Sequence, residues 1–213
     1  MKDNNKITRN NLLANKVIKG LESRNMSGYY AKSKEEALAK ALELIPEGSS
    51  IGWGGSMSVS EIGLRDAVIN GNYVVFNRDD CKTPEEKREV ELKIFGSDYF
   101  LCSSNAITED GILVNIDGNS NRVAAIAYGP KKVIMIVGMN KVSKDFESAL
   151  SRARNIAAPI NAQRFPLDTP CKLTGSCANC KSRDTICCEF LVTRYSRHAD
   201  RFHIILVDED LGY

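Results

Sequence analysis

Two short runs in the second half of the chain are apolar at almost every position. Residues 132–137 read Lys-Val-Ile-Met-Ile-Val between Pro130 and Gly138, and residues 202–207 read Phe-His-Ile-Ile-Leu-Val. A half-exposed strand alternates apolar and polar residues, whereas a strand buried on both faces is apolar throughout. The two runs therefore predict central strands of a parallel or mixed sheet.

Strand and helix patterns alternate along the rest of the chain. Further strands are predicted at 29–31, 49–53, 73–76 and 99–102, and helices at 6–26, 34–45, 59–70, from Thr83 onward, and at 143–158. Thr83 and Pro84 suit the N-cap and first position of a helix, and Ser143 suits the N-cap of the last helix. Such alternation is typical of an α/β fold with a mostly parallel, Rossmann-like sheet flanked by helices.

Turn chemistry is also present behind the apolar residues 112–116. Asp117 and Gly118 tolerate the positive φ angles that tight hairpin turns require. This pair predicts a hairpin turn, after which residues 122–127 form either the return strand or a short helix.

Length, composition and charge limit the class of protein. A chain of 213 residues can bury one sizeable core, and 29 Lys and Arg against 27 Asp and Glu leave a net charge of only +2. This balance gives no broad attraction for nucleic acid.

We expect one domain over residues 1–213, with an N-terminal helical segment (1–48) and a cysteine-rich excursion (159–190) before the last strand. The polar N-terminus and the lack of a long apolar span predict a cytoplasmic protein with no membrane partner.

Three glycines and a serine stand where a predicted strand meets a predicted helix. Gly52, Gly54, Gly55 and Ser56 allow close approach of the backbone to a ligand, and a helix N-terminus favours a phosphate or carboxylate. The same residues also suit a tight turn that merely packs the helix on the sheet. Trp53, within this turn, is either a core residue or a lid over the ligand.

A second polar loop follows the predicted strand 99–102. Asn105 lies in this loop as a candidate ligand contact, Glu109 as a candidate acid, base or nucleophile, and Arg122 as a candidate anion clamp. Arg122 is the only basic residue between Lys93 and Lys131. Ordinary turn chemistry is the alternative for this loop and is favoured for residues 117–120.

Five cysteines fall between residues 171 and 188, in the pattern C-x5-C-x2-C-x6-C-C. Thiolates gathered on an irregular loop favour a soft metal or an iron-sulfur cluster, for which the spacing does not choose between cluster and zinc. The candidate ligands are Cys171, Cys177, Cys180 and Cys187. A redox disulfide, such as Cys177 with Cys180, and free thiols are the alternatives. Cys81 and Cys102 stand apart and are expected to be ordinary thiols.

Several separated motifs resemble the lactate-utilisation (LUD) domain family. They occur at residues 51–58, 104–111, 121–125, 129–133 and 206–213. The resemblance implies a fold similar to the isomerase and CoA-transferase superfamily. It also implies a setting in organic-acid oxidation beside iron-sulfur partner proteins. The cysteine-rich residues 169–180 resemble a subgroup and differ from the shorter members of lactate operons, so a lactate substrate does not follow.

Two functional hypotheses result. In the first, the protein binds a small anionic metabolite through Gly52, Gly54, Gly55, Ser56, Asn105 and Arg122 and has an accessory role in organic-acid or redox metabolism. A homodimer or an iron-sulfur redox protein is the candidate partner. In the second, which the superfamily resemblance suggests, Glu109 serves an acyl- or CoA-transferring or isomerising enzyme.

Overall fold

Ten strands form two sheets in the computed structural model, which describes residues 3–213. They are β1 (Ser27–Ala31), β2 (Ser50–Trp53), β3 (Val74–Phe76), β4 (Tyr99–Cys102), β5 (Ala106–Thr108), β6 (Leu113–Asp117), β7 (Lys132–Gly138), β8 (Val142–Ser143), β9 (Glu189–Thr193) and β10 (Phe202–Val207). The main sheet has the order β1-β10-β7-β4-β2-β3, and all its neighbouring strands are parallel. The predicted α/β class with a mostly parallel sheet is confirmed.

The two apolar runs are the centre of this sheet. Strands β7 and β10 pair over Phe202↔Val133 to Val207↔Gly138, and all six residues of β10 are buried. One face of the sheet packs against side chains that include Val17, Ile94 and Ile126, and the other against side chains that include Ala37, Leu64 and Val68. Burial on both faces explains why these strands carry no alternating polar positions.

The helices cover both faces of the main sheet or flank its carboxyl edge. They are α1 (Asn4–Ser23), α2 (Lys34–Glu43), α3 (Met57–Glu61), α4 (Leu64–Asn70), α5 (Pro84–Phe95), α6 (Asn121–Ala127), α7 (Phe146–Arg152), α8 (Ala158–Ala162) and α9 (Pro170–Thr174). The predicted start of α5 is confirmed, because Thr83 and Glu86 form a capping box ahead of Pro84 at the first turn.

Two predicted helices differ from the structure. The helix expected over 59–70 is divided into α3 and α4 at Gly63, whose φ of +75° no continuous helix accepts. The helix expected from Ser143 begins later, because Ser143 pairs in β8 and Asp145 caps α7 instead. Beyond α7 the helical path widens into a π-helical turn, Ala153–Ala157, before α8.

The prediction of a hairpin turn at Asp117 and Gly118 is wrong. These residues lead from β6 into α6, so the short-helix alternative for residues 122–127 is the correct one. The antiparallel hairpin lies one step earlier, where β5 and β6 are joined through Gly111 at a φ of +88°. On its other side β6 pairs with β9, which ends the cysteine-rich region and completes a second sheet of order β8-β5-β6-β9.

Trp53 belongs to the core. Its side chain is buried among the residues that pack below α2 and α4, and the Arg65 guanidinium lies over its ring at 5.6 Å. The lid alternative for Trp53 is thereby excluded. No helix within residues 3–213 has the length and apolar character that crossing a membrane requires.

Candidate functional site

A broad cleft lies at the edge of the main sheet where its strands end. Strand β2 is followed by its neighbour β3, and the chain then returns to β4 on the other side of β2. Such a reversal leaves a crevice at the carboxyl ends of parallel strands, and ligands of α/β proteins bind there. The cleft has a volume of about 500 Å³ and is lined by residues that follow β2, β4, β7 and β10.

The glycine turn contributes only part of its length to this cleft. Gly55 and Ser56 line it, and the Ser56 hydroxyl accepts a hydrogen bond from the Val59 amide at 3.4 Å. Gly52 instead makes room for α5, since a Cβ there would lie 2.5 Å from the Ile94 side chain. Gly54 makes room for Arg122, whose Cδ would lie 3.1 Å from an added Cβ. Because α3 has five residues, its dipole adds little to anion binding.

Arg122 and Asn105 meet at the same wall of the cleft. The Arg122 guanidinium donates to Asn115 Oδ1 at 2.8 Å, to Asn105 Oδ1 at 3.2 Å and to the Ile116 carbonyl. Asn105 Oδ1 also accepts from the Ile116 amide at 2.8 Å. All these acceptors are uncharged, and no carboxylate within residues 3–213 pairs with Arg122. The positive charge is held in place but not neutralised.

The lining of the cleft is strongly basic. Within residues 3–213, six basic residues contribute to it, against two acidic ones. The basic residues are Arg78, Lys87, Arg122, Lys141, Arg164 and Arg183, and the acidic ones are Asp117 and Asp184. Arg164 donates to the Gly55 carbonyl and to Asn161 Oδ1, both at 3.1 Å, so its charge also faces only neutral acceptors. The near-neutral total composition conceals this local excess.

Lys141 is a cleft residue that the sequence analysis missed. Its Nζ lies 2.9 Å from Ser58 Oγ and 3.0 Å from Ser103 Oγ, and the residue is only 2% exposed. Burial and, as the second-largest cause, the charge of Arg152 lower the pKa of this amine to about 7. Its sequence signal is its place just beyond a central parallel strand, at the edge where sites form.

Glu109 does not reach the cleft. It lies at a separate shallow depression against α1, where its carboxylate pairs with Lys16 at 2.5 Å and Lys144 at 3.1 Å. Hydrogen bonds from these two ammonium groups lower the pKa of the carboxyl. The Glu109 carboxylate therefore belongs to a surface ion-pair group and does not contact the residues that line the cleft.

The four candidate ligand cysteines come together. Cys171, Cys177, Cys180 and Cys187 line one cavity of about 70 Å³, whereas Cys188 does not. Burial and, to a smaller extent, the neighbouring thiols raise the pKa of Cys187 to about 11. All seven cysteines of the chain lie within the described residues as free thiols, and no three His, Cys, Asp or Glu side chains of residues 3–213 are already arranged to hold a metal ion.

The cysteine cavity and the cleft share a wall. Thr185 and Ile186 line both of them. Gly118 lets this wall pack closely against the end of β6, since a Cβ at Gly118 would lie 2.8 Å from Ile186 Cα. The backbone is joined at the same place, where the Cys188 amide donates to the Asp117 carbonyl at 2.9 Å. Order in the cysteine-rich segment therefore bears directly on the shape of the cleft.

The fold and the cleft together define an α/β protein with a ligand-sized basic crevice at the strand-order reversal of a parallel sheet. The family model of the LUD domain matches residues 14–207, and the chain belongs to this family. The expected family resemblance is confirmed.

Among solved structures, a DUF162 family protein agrees with this chain at the level of the fold. A DUF162 family protein from Deinococcus radiodurans superposes with a TM-score of 0.53 at 10% identity, over 93% of this chain and 97% of that one. The eIF2B delta subunit from Chaetomium thermophilum gives a TM-score of 0.34 at 16% identity, over 67% of this chain and 57% of that one. No curated protein sequence matches the chain.

Proposed function

We propose that this LUD-domain protein binds a small anionic metabolite in the cleft beyond β2 and β4. The observation that carries the proposal is the excess of basic side chains in the lining, of which Arg122 and Arg164 are bonded only to neutral acceptors. A guanidinium fixed in position but not neutralised favours a carboxylate or phosphate, because charge-assisted hydrogen bonds are the strongest type available.

The size and the remaining lining narrow the ligand class. A volume of about 500 Å³ lies within the usual range for small-molecule sites. Uncharged donors and acceptors, including Ser56 and Asn119, are placed around the basic groups and can orient hydroxyl or carbonyl oxygens. A small organic acid or phosphorylated metabolite fits this combination. An accessory role in organic-acid or redox metabolism is the corresponding biological proposal.

The test is calorimetric titration with inorganic phosphate and, separately, with oxalate. We expect both Arg122→Met and Arg164→Met to weaken binding by about tenfold or more, since each removes a charged donor. Arg88→Met is the matched control, because Arg88 is exposed on α5 and does not line the cleft. Equal affinities in all four proteins, or no binding of either anion, would contradict the proposal.

A second proposal concerns the cysteine cavity, where we infer a site for a soft metal. Its support is the convergence of Cys171, Cys177, Cys180 and Cys187 on one small cavity, since thiolates prefer zinc or an iron-sulfur cluster. Binding would require deprotonation of the thiols and closure of the sulfurs around the metal, because ligand thiols bind as thiolates. An iron-sulfur centre would give the protein a redox role, whereas zinc would only order the segment.

Anaerobic purification followed by metal and sulfide analysis tests this second proposal. We expect about one zinc ion or one cluster per chain. Cys187→Ser should abolish binding, and Cys188→Ser, an adjacent thiol outside the cavity, should retain it. Metal-free wild-type protein, or equal loss in both variants, would contradict the site. Glu109 lies outside both cavities, and no contact among residues 3–213 favours the transferase alternative.

A further inference from the structure

The amine of Lys141 is placed unusually for a lysine. It lies at the bottom of the basic cleft with Ser58 Oγ and Ser103 Oγ as its hydrogen-bond partners, and no carboxylate of residues 3–213 forms an ion pair with it. Buried lysines ordinarily have a paired acid, because an unpaired buried charge is costly. This environment therefore favours the uncharged amine.

Cations on two of the surrounding helices act in the same direction as burial. Arg152 of α7 and Arg122 of α6 repel a proton on Lys141, whereas Glu61 of α3 attracts one. Cys102 at the end of β4 is a buried thiol whose pKa is raised to about 12, so it stays neutral. The Glu61 carboxylate is already engaged by the Gly212 amide at 3.0 Å. Desolvation and neighbouring cations are the two conditions that make a lysine amine nucleophilic near neutral pH.

We propose that Lys141 is a nucleophile that forms an imine with the aldehyde or ketone carbonyl of a small anionic metabolite bound in the cleft. This inference rests on the proposed anion site, because the basic side chains of the cleft would hold the anionic end of the same molecule. Small α-oxo acids and phosphorylated aldehydes share this chemistry. The geometry thus assigns a reacting group to a site that has otherwise only binding groups.

The reaction balances without an oxidant or a further reactant. The lone pair of Nζ attacks the carbonyl carbon, and the C=O π electrons move to the oxygen. A proton passes from nitrogen to that oxygen and gives a carbinolamine. Loss of the hydroxyl group as water, with the second amine proton, forms the C=N bond. Ser58 and Ser103 lie within hydrogen-bond distance of Nζ, where a hydroxyl can accept and return these protons.

A structural role for Lys141 gives a different expectation. In that case its hydrogen bonds would only tie the loops after β2, β4 and β7 together. Substitution would lower stability, but the wild-type amine would not react faster than other lysines of the chain. Chemical trapping in the wild-type protein separates the two roles, since it does not depend on whether a variant folds.

The experiment uses glyoxylate and glycolaldehyde phosphate as separate probes, each with cyanoborohydride. Hydride reduces the imine to a stable secondary amine, which peptide mass spectrometry assigns to one lysine. We expect one adduct per chain, on Lys141, at low probe concentration. Reaction with glyoxylate alone would indicate carboxylate recognition, and reaction with glycolaldehyde phosphate alone would indicate phosphate recognition.

The pH profile identifies the amine. From pH 6 to pH 8, the neutral fraction of an amine with a pKa of about 7 rises about tenfold and then levels off. Ordinary lysines continue to gain reactivity far above this range. Lys93→Met, an exposed lysine of α5 that does not line the cleft, should keep the Lys141 adduct, whereas Lys141→Met should lose it. Ser58→Ala should keep the adduct at reduced yield.

The outcomes distinguish this inference from the proposed function. Phosphate or oxalate binding without a Lys141 adduct overturns the imine and leaves the anion site. A Lys141 adduct that is unaffected by Arg122→Met and Arg164→Met, in protein that binds neither anion, overturns the anion site. Labelling spread over exposed lysines, with no preference for Lys141, also overturns the imine.

Discussion

The cleft and the cysteine cavity are neighbouring sites that are built in opposite ways. One wall of the cleft follows the ends of buried strands, and its residues Ser58, Ser103 and Ser104 are each less than a tenth exposed. The cysteines instead lie on a segment whose residues are mostly exposed, including Leu173 at 83%. The sheet therefore fixes this wall of the cleft before any ligand binds. The cysteine segment depends on its own side chains, and on any metal they bind, for its order.

The largest expected effect is on the cysteine side of this comparison. Replacing Cys177 and Cys180 with serine should increase limited proteolysis within residues 165–188 by about a hundredfold, since few apolar contacts hold this segment. Hydrogen exchange in β7 and β10 should stay unchanged. Cleavage at the wild-type rate would show that the thiols contribute nothing to local order and that the two regions are built alike.

A substitution that disturbs packing behind the cleft should lower stability without changing anion binding. Gly52→Ala places a Cβ against Ile94 and should lower the free energy of unfolding by roughly 1–3 kcal/mol, as overpacked core positions do. Chemical denaturation measures this loss. Phosphate affinity of the folded protein should match wild type, because Gly52 does not line the cleft. A large loss of affinity with unchanged stability would contradict this division of roles.

Gly54→Val provides the converse change. The added side chain meets the aliphatic part of Arg122 and should displace its guanidinium, so we expect about tenfold weaker phosphate binding with a moderate loss of stability. Calorimetric titration measures the affinity. Binding as tight as wild type would mean that the turn is purely structural.

The lowered pKa of Lys141 predicts that stability depends on pH. Its pKa is about 7 in the folded protein and near 10.5 in the unfolded chain, so the unfolded state binds more protons between these values. Stability should therefore rise with pH across this window relative to Lys141→Met. Denaturant titrations of both proteins from pH 6.5 to pH 9 measure the difference. Parallel curves for the two proteins would contradict the lowered pKa.

The smallest effect is expected for Glu109→Gln. The substitution removes ion pairs with Lys16 and Lys144, which are 58% and 71% exposed, and such pairs contribute little. Phosphate affinity and Lys141 trapping should stay within about twofold of wild type, because the site is separate from the cleft. A loss of trapping of about tenfold would show that Glu109 takes part in the reaction of Lys141.

Local sequence patterns predict the elements of this fold better than they predict its site. The strands at 132–137 and 202–207 follow from apolar runs alone, and residues 99–102 were placed with the correct bounds. The break at Gly63 was missed because helical periodicity continues across it. The hairpin was misplaced because Asp-Gly fits several kinds of turn, and long-range pairing with β9 decided the outcome.

The sequence predicts those side chains of the candidate site that belong to a local motif. It does not predict those that only the strand order brings to the cleft. Gly55, Ser56, Asn105 and Arg122 do line one cleft, and four cysteines do share one cavity. Lys141 comes from a different strand end and meets Ser58 only through the strand order of the sheet. Glu109 lies outside the cleft that Asn105 lines, because sequence proximity to Asn105 does not fix the direction of a side chain.

Anomalous diffraction from crystals soaked in tungstate tests the proposed anion site in the cleft, since this heavy tetrahedral anion reports its own position. We expect a principal peak inside the cleft, within hydrogen-bond distance of the Arg122 or Arg164 guanidinium and the Ser56 hydroxyl. The peak should be absent in Arg122→Met crystals soaked in the same way. Peaks only at exposed lysines or arginines outside the cleft, with an empty cleft in wild-type crystals, would contradict it.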